Sequence, residues 1–504
     1  APRPFRRMAF RAPYTLDPGL TGDSISSGYI ENLFGGLLTL TPDLSLAPDI
    51  ALRWEVLENG LRYVFYLRSD VKWSDGETTT AHDFVLLFQR LFTAVPDSQI
   101  GNMTINYFDI KNAQAYYEEQ ITDFEQVGVK AFDDFTLEFR LENPCAYFIQ
   151  MLANSCYPIP RHAVEKFGDA WSESENIINN GPFLLEQYNE EKNVLLVKNP
   201  DYYGAFPGNL QAVDIQYSTD DQAHYDNYRN HKTDFSILGQ FPVAEFTSAR
   251  HKYNQDFSLV STLSTAFLYF NHLRPPFNDI NLRRALVLST NLNLLDQLYF
   301  GGTLGVADGG VIPPGMAGHS PGIGFAYAPE KARRLLAEAG FPNGKGLPSL
   351  IVAMADGFYP EVKEYFQEQW LEILGIQSTY ETIDFATMQE VKKNSPHIAM
   401  NGWVADYPDP DTFTRSINWP ARTGWRNAEF ETLVEQARRT MDQGERINMY
   451  QQADKILMRE VAAWPMVYPP RGFLVKPWVK RFPFSSIYNT PRYKDIILDP
   501  DLEE

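Results

Sequence analysis

A chain of 504 residues is longer than one hydrophobic core usually supports, so two or three folding units are expected. With 44 basic against 64 acidic side chains the formal net charge is −20. Such a surface repels phosphate backbones and anionic lipid heads, which argues against nucleic acid, DNA included, as a partner. No apolar run reaches the roughly 20 residues of a membrane-spanning helix. None of the eight His falls in a close pair, and the two Cys are not in Cys-x-x-Cys spacing, so neither a tetrahedral metal site nor a cofactor is implied. Cys145 and Cys156 either form a disulfide across one short loop or stay as two buried thiols. The sequence starts at Ala1 with no signal peptide in view, and a leader is read as cut away or left out.

Leu16-Asp17-Pro18-Gly19 reads as a turn, and the apolar run Tyr29 to Leu40 suits a packed helix end and a strand. Arg62 to Arg68 reads as a strand, followed by Trp73 and the turn Ser74-Asp75-Gly76. Thr80 stands three residues before Asp83, a capping-box pattern, and the helix it opens carries Phe84, Leu87, Phe88 and Leu91 on one face. A second strand-rich piece runs through Phe135 to Leu141. Asn180-Gly181-Pro182-Phe183 then breaks the chain before two more strands, ending in Leu195-Leu196-Val197.

After Phe277 longer helices are expected. Ala332, Leu335, Leu336 and Ala339 form a helical stripe between Pro329 and Gly340. Another helix runs from about Val362 to Leu374 and stops at Gly375, and two more open near Asn427 and Gly444. Leu350 to Ala353 and Ile398 to Met400 are strand pieces between them. The class is mixed α/β, with at least two lobes.

Gly318-His319-Ser320-Pro321-Gly322 fits the G-x-S-x-G nucleophile pattern. The residue after its Ser is a proline, which lacks the N–H that an oxyanion hole requires, so the segment reads as a loop. Gly301-Gly302-Thr303-Leu304-Gly305 lacks the Lys of a phosphate loop and reads as a turn. The segment Gly402-Trp403-Val404-Ala405-Asp406-Tyr407-Pro408-Asp409-Pro410-Asp411 is more suggestive: a short strand feeds an aromatic and a carboxylate, then a stretch that two prolines keep out of helix. Asp406 could accept charge-assisted hydrogen bonds from a cationic group while Trp403 walls the site. Equally, the Asp could serve the turn and the Trp the core.

Several segments, in order, resemble the extracytoplasmic solute-binding proteins that include the oligopeptide-, dipeptide- and nickel-binding proteins of bacterial ABC importers. They are Leu46-Ala47-Pro48-Asp49, Leu67 to Gly76, Asn180 to Phe183, Asn199-Pro200-Asp201-Tyr202-Tyr203, Pro275 to Asp279, Leu335 to Gly340, Trp403 to Pro410, and Val475-Lys476-Pro477-Trp478-Val479. Pro158 to His162 and Glu165 to Trp171 are similar to the oligopeptide branch. The resemblance implies a periplasmic-binding-protein-like α/β fold with two lobes and hinge closure, in three domains. Domain I would be discontinuous (1–38, 158–262 and 478–504), domain II inserted (39–157), and domain III would span 263–477.

It further implies a short peptide held as an extended strand against Gly22-Asp23-Ser24 and Gly402-Trp403-Val404, with Asp406 pairing its α-amino group. Backbone pairing is the same for every sequence, so affinity would not depend on side chains. The implied ligand-binding set is Gly22, Asp23, Ser24, Tyr107, Gly402, Trp403, Val404 and Asp406. Met400 stands where the oligopeptide branch often carries an Arg for the peptide carboxylate, so Lys392 or Lys393 would have to serve longer ligands. The expected protein is a monomeric, non-enzymatic substrate-binding component, periplasmic or on the outer face of the cytoplasmic membrane, that delivers peptide to a permease. The alternatives are a non-peptide solute (an oligosaccharide, an opine-like amino-acid derivative or a metal chelate) in the same fold, or a sensor domain of a larger protein.

Overall fold

In a computed structural model, which describes residues 3–93, 101–354, 360–383, 391–415, 418–485, 487 and 491–499, the expected capping box closes. The backbone N–H of Thr80 donates to Asp83 Oδ2 at 2.8 Å, and helix Ala81–Phe92 follows with Phe84, Leu87, Phe88 and Leu91 buried. Asp83 also accepts from the N–H of Arg161 at 3.0 Å, so one buried carboxylate ties two helix starts together. Glycines end later helices as the sequence suggests: Gly340 follows Pro329–Glu338 at φ +91°, and Gly375 follows Pro360–Leu374 at φ +68°.

The chain divides into two units. The first comprises Ala1–Pro242, Tyr253–Ser258 and Phe473–Glu504, the second Val243–Lys252 and Leu259–Gly472, so the chain passes between them four times. Two four-stranded sheets lie in the first unit. One orders Phe5–Ala9, Ala212–Tyr217, Asn193–Lys198 and Phe183–Asn189, the first pair parallel and the others antiparallel. The other is antiparallel throughout and orders Ala51–Leu57, Arg62–Leu67, Thr136–Arg140 and Val129–Asp133. Its inner face carries Tyr63, Phe65 and Phe139 against Phe88 and Phe148, with ring centroids 4.9–5.8 Å apart.

Cys145 and Cys156 lie in this unit as free, buried thiols; of the two readings left open by the sequence, the disulfide is not the one formed. Cys156 follows helix Phe148–Ser155, and burial pushes its thiol well above the ordinary range, which keeps it neutral.

The second unit is built on one five-stranded sheet. In spatial order its strands are Ser378–Thr382, Leu350–Met354, Ile398–Val404, Ser264–Phe270 and Ala463–Val467. The first three pair parallel and the last three antiparallel. Helix Pro329–Glu338 packs on Ile280–Leu288, and Ala428–Arg439 on Gln443–Glu460. Gly318 to Gly322 is a loop, with Ser320 buried and its hydroxyl turned back to the Gly318 carbonyl at 3.4 Å. The glycine cluster at Gly301 is a turn whose N–H groups serve the chain itself, since Gly302 and Leu304 both donate to Asp296 Oδ1. Among the described residues no helix is long and apolar enough to cross a membrane, and no cluster of His, Cys, Asp or Glu could hold a metal ion.

Candidate functional site

Strand Ile398–Val404 changes character along its length. Ile398 and Met400 are fully buried, with Leu350–Met354 on one side and Ser264–Phe270 on the other. The register with Leu350–Met354 ends at Met354 opposite Met400, whereas pairing with Ser264–Phe270 continues to Val404 opposite Ser264. Gly402 and Val404 are exposed, and among the described residues only one neighbouring strand pairs with Gly402 to Val404. A side chain added at Gly402 would meet nothing nearer than the Thr265 carbonyl at 3.9 Å. The Gly402 N–H donates to Asn401 Oδ1 at 2.8 Å, a bond that an extended ligand pairing with this N–H would have to displace.

Just beyond the strand, one hydroxyl joins the two chemically distinctive side chains. Trp403 Nε1 donates to Thr412 Oγ1 at 3.1 Å, and the N–H of Asp406 donates to the same oxygen at 3.3 Å. Thr412 in turn donates to Asp406 Oδ2 at 3.4 Å. Its single proton and both lone pairs are thereby used. Asp406 and Trp403 are each half-buried, reachable yet fixed in place.

Beneath them lies a buried lattice of opposite charges. Asp409 receives two hydrogen bonds from Arg446, one of 2.7 Å from Nη1, and Arg446 is only 1% exposed. Asp411 accepts from Arg415 Nη2 at 2.8 Å and from the Tyr407 hydroxyl at 2.7 Å, with Arg438 at 3.4 Å. Burial alone would raise the Asp411 carboxyl, but Arg415, Arg438 and Tyr407 overcome it and hold it down at about 2. Burial likewise opposes the Arg446 charge, and Asp409 outweighs it, keeping the guanidinium protonated. Each charge thus fixes the loop that presents Asp406.

The other anticipated residues stand on other elements. Gly22-Asp23-Ser24 is not a strand: Asp23 is the N-cap of helix Ser24–Leu33, accepting from the N–H groups of Ile25 and Ser26, and Ser24 opens the helix. Asp23 also pairs with Arg11 at 3.0 Å. A short polar side chain just before a helical run satisfies the otherwise unpaired N–H groups there, which overrides the strand expectation. Tyr107 is a core residue of the first unit, 2% exposed, with its hydroxyl 2.6 Å from Ser155 Oγ and its ring edge-on to Phe88. Lys392 and Lys393 are exposed on the turn before the strand, where the Lys392 backbone is held by Ser395 and Asn271.

Reading the sequence did not single out Thr412, the Asp409–Arg446 pair or the Asp411–Arg415–Arg438 group. The signal for part of it was present: Asp411 and Arg415 stand four apart, the spacing of one helical face. Nor did it single out Arg422, whose Cζ lies 4.0 Å from the Trp403 ring centroid.

The exposed strand end thus lies beside a fixed indole and carboxylate. The chain belongs to the bacterial extracellular solute-binding proteins, family 5, whose model matches residues 45–425. It is 30% identical to the probable deoxycholate-binding periplasmic protein YgiS of Escherichia coli, over 96% of this chain and 91% of that one. It is 27% identical to the periplasmic oligopeptide-binding protein OppA of Salmonella typhimurium, over 94% of this chain and 89% of the other. Among solved structures, a periplasmic oligopeptide-binding protein of Borrelia burgdorferi superposes with a TM-score of 0.83 at 26% identity, covering 98% of this chain and 99% of that one.

Proposed function

We propose that this chain is the substrate-binding component of an ABC import system on the outer side of the cytoplasmic membrane, taking short peptides as extended strands and delivering them to a permease. The observation that carries this reading is the exposed end of strand Ile398–Val404, followed at once by Asp406 held through Thr412 to Trp403. The ligand main chain pairs with Gly402 to Val404, and Asp406 receives its α-ammonium by a charge-assisted bond. The names of several relatives, which are oligopeptide-binding proteins, support the ligand class. Hinge motion acts at the four passages between the units. Residues 39–157, which hold one whole antiparallel sheet, form an inserted domain in this reading.

The test is a thermal-shift and calorimetric titration with a pool of tripeptides, free and N-acetylated. Free peptides should raise the melting temperature, N-acetylated ones should not, and Asp406→Asn should abolish the difference. A protein indifferent to every free peptide lacks this function.

A second reading has its own support. The relative matching at 30% identity is named for deoxycholate, an amphipathic steroid carboxylate without an amine, and Met400 is buried where a peptide's carboxylate was expected to find an Arg. Stabilisation by deoxycholate without any by peptides would establish that ligand class instead.

A further inference from the structure

We propose that Arg422 is the anion receptor of this site and that its ligands are carboxylate-bearing molecules, the carboxylate being taken by the guanidinium where it lies over Trp403. This rests on the reading that Gly402 to Asp406 lines the ligand site.

The sheet register places Trp403, Asn401 and Ala399 opposite Thr265, Phe267 and Tyr269, so all six share one face. Met400 falls on the other face and is fully buried, so the strand itself offers no cation. The helix Asn418–Thr423 covers the Trp403 face. Trp419 packs edge-on to Phe267 with ring centroids 6.1 Å apart, and Thr423 bonds the Trp419 carbonyl at 2.7 Å. Arg422 is therefore carried on an anchored element, its Cζ 4.0 Å from the indole centroid and the Tyr269 hydroxyl nearby.

The contrast with the nearby arginines is decisive. Arg415, Arg438 and Arg446 are each neutralised by Asp409 or Asp411. Half-buried Arg422 has no carboxylate partner among the described residues. A guanidinium screened from water on one side by an indole, with N–H groups left over, presents the planar fork that takes a carboxylate in two parallel hydrogen bonds. The same indole is tied through Thr412 to Asp406, so an anion and a cation flank one ring. A zwitterion uses both, and a simple organic acid uses Arg422 alone.

The probes are the free tripeptide pool, its C-terminally amidated counterpart, and deoxycholate, titrated into wild type, Arg422→Gln, Arg422→Lys and Asp406→Asn. Wild type should favour the acid pool over the amides by about tenfold or more. Arg422→Gln should bring acids down to the level of amides and leave the amides unchanged, with Arg422→Lys in between. If deoxycholate binds and peptides do not, the peptide reading fails, and loss of deoxycholate binding in Arg422→Gln but not in Asp406→Asn upholds the anion receptor. Equal affinity of wild type for acids and amides, an equal effect of Arg422→Gln on both, or no binding of any carboxylate probe overturns it.

Discussion

Thr412 shows how much a single hydroxyl can organise. It is 4% exposed and uses one proton and two lone pairs to hold the Trp403 ring, the Asp406 backbone and the Asp406 carboxylate. Thr412→Val keeps the shape and removes all three bonds. Denaturant unfolding should show a loss of about 1–3 kcal/mol, because the orphaned donors stay partly buried. The peptide affinity should fall with it, whereas Thr412→Ser should retain both. A Val variant that binds as well as wild type would mean that Asp406 is positioned without the hydroxyl. Asp411, immediately before it, sets an acid limit. Its folded carboxyl titrates at about 2 against an ordinary 3.8, so its stabilisation is complete above about pH 4 and is lost as pH falls through about 2. That loss is on the order of 2 kcal/mol. Urea midpoints of wild type and Asp411→Asn should accordingly converge between pH 5 and pH 2.

Helix Gln443–Glu460 carries a carboxyl that is shifted in the opposite direction. Asp454 on this helix is fully buried, accepts from the N–H of Val311 at 2.8 Å, and leaves its Oδ2 without a hydrogen-bond partner. Burial raises its carboxyl to about 7, only partly offset by the Val311 and Ile312 N–H groups and by Lys455, while Asp308 and Tyr468 lie nearby. The folded state therefore prefers the protonated acid, and stability is lost as pH rises from about 4 through about 7. Asp454→Asn should flatten this dependence, gaining at most about 4 kcal/mol at pH 8.5, about 1–2 kcal/mol at pH 5 and little below about pH 4. A pH profile unchanged by the substitution would show that the carboxylate is hydrated. Gly310 packs against this group so closely that any added Cβ would collide with the carboxylate, and Gly310→Ala should destabilise at every pH.

Elements of this kind were legible in the sequence where the signal is local. Thr80 with Asp83, Pro329 with Gly340, and Asn427 before its helix each mark a boundary by satisfying or ending a run of backbone N–H and C=O groups. The strand at Ile398 to Met400 was legible from its short apolar run. Asp23 was misread as part of a strand although its place before Ser24-Ile25-Ser26 is a capping signal. Long-range partners were not legible. Nothing near Asp409 announces Arg446, and no periodicity reports that Ser264–Phe270 inserts between Ile398–Val404 and Ala463–Val467, because such pairings depend on the assembled sheet. Tyr107 illustrates the limit at a single position, since its sequence neighbours do not distinguish a core phenol from an exposed one.

At the scale of the whole molecule, the net charge of −20 and the local guanidinium of Arg422 act on a ligand over different distances. The overall field reaches about 8–10 Å beyond the surface at physiological ionic strength and about 30 Å at 0.01 M, so it governs encounter. In the proposed function, contacts with Arg422 and Asp406 would form only after arrival and would govern how long the ligand stays. Stopped-flow association with Lys-Ala-Lys should therefore slow as salt is raised from 0.01 to 0.15 M, and association with Glu-Ala-Glu should speed up. Dissociation should change far less with salt, because half-buried charges are screened weakly. Arg422→Gln should raise the dissociation rate of both peptides while leaving the two opposite salt slopes of association in place. Were the slopes to follow the variant instead, the long-range field would be negligible and the site's own charges would control both steps.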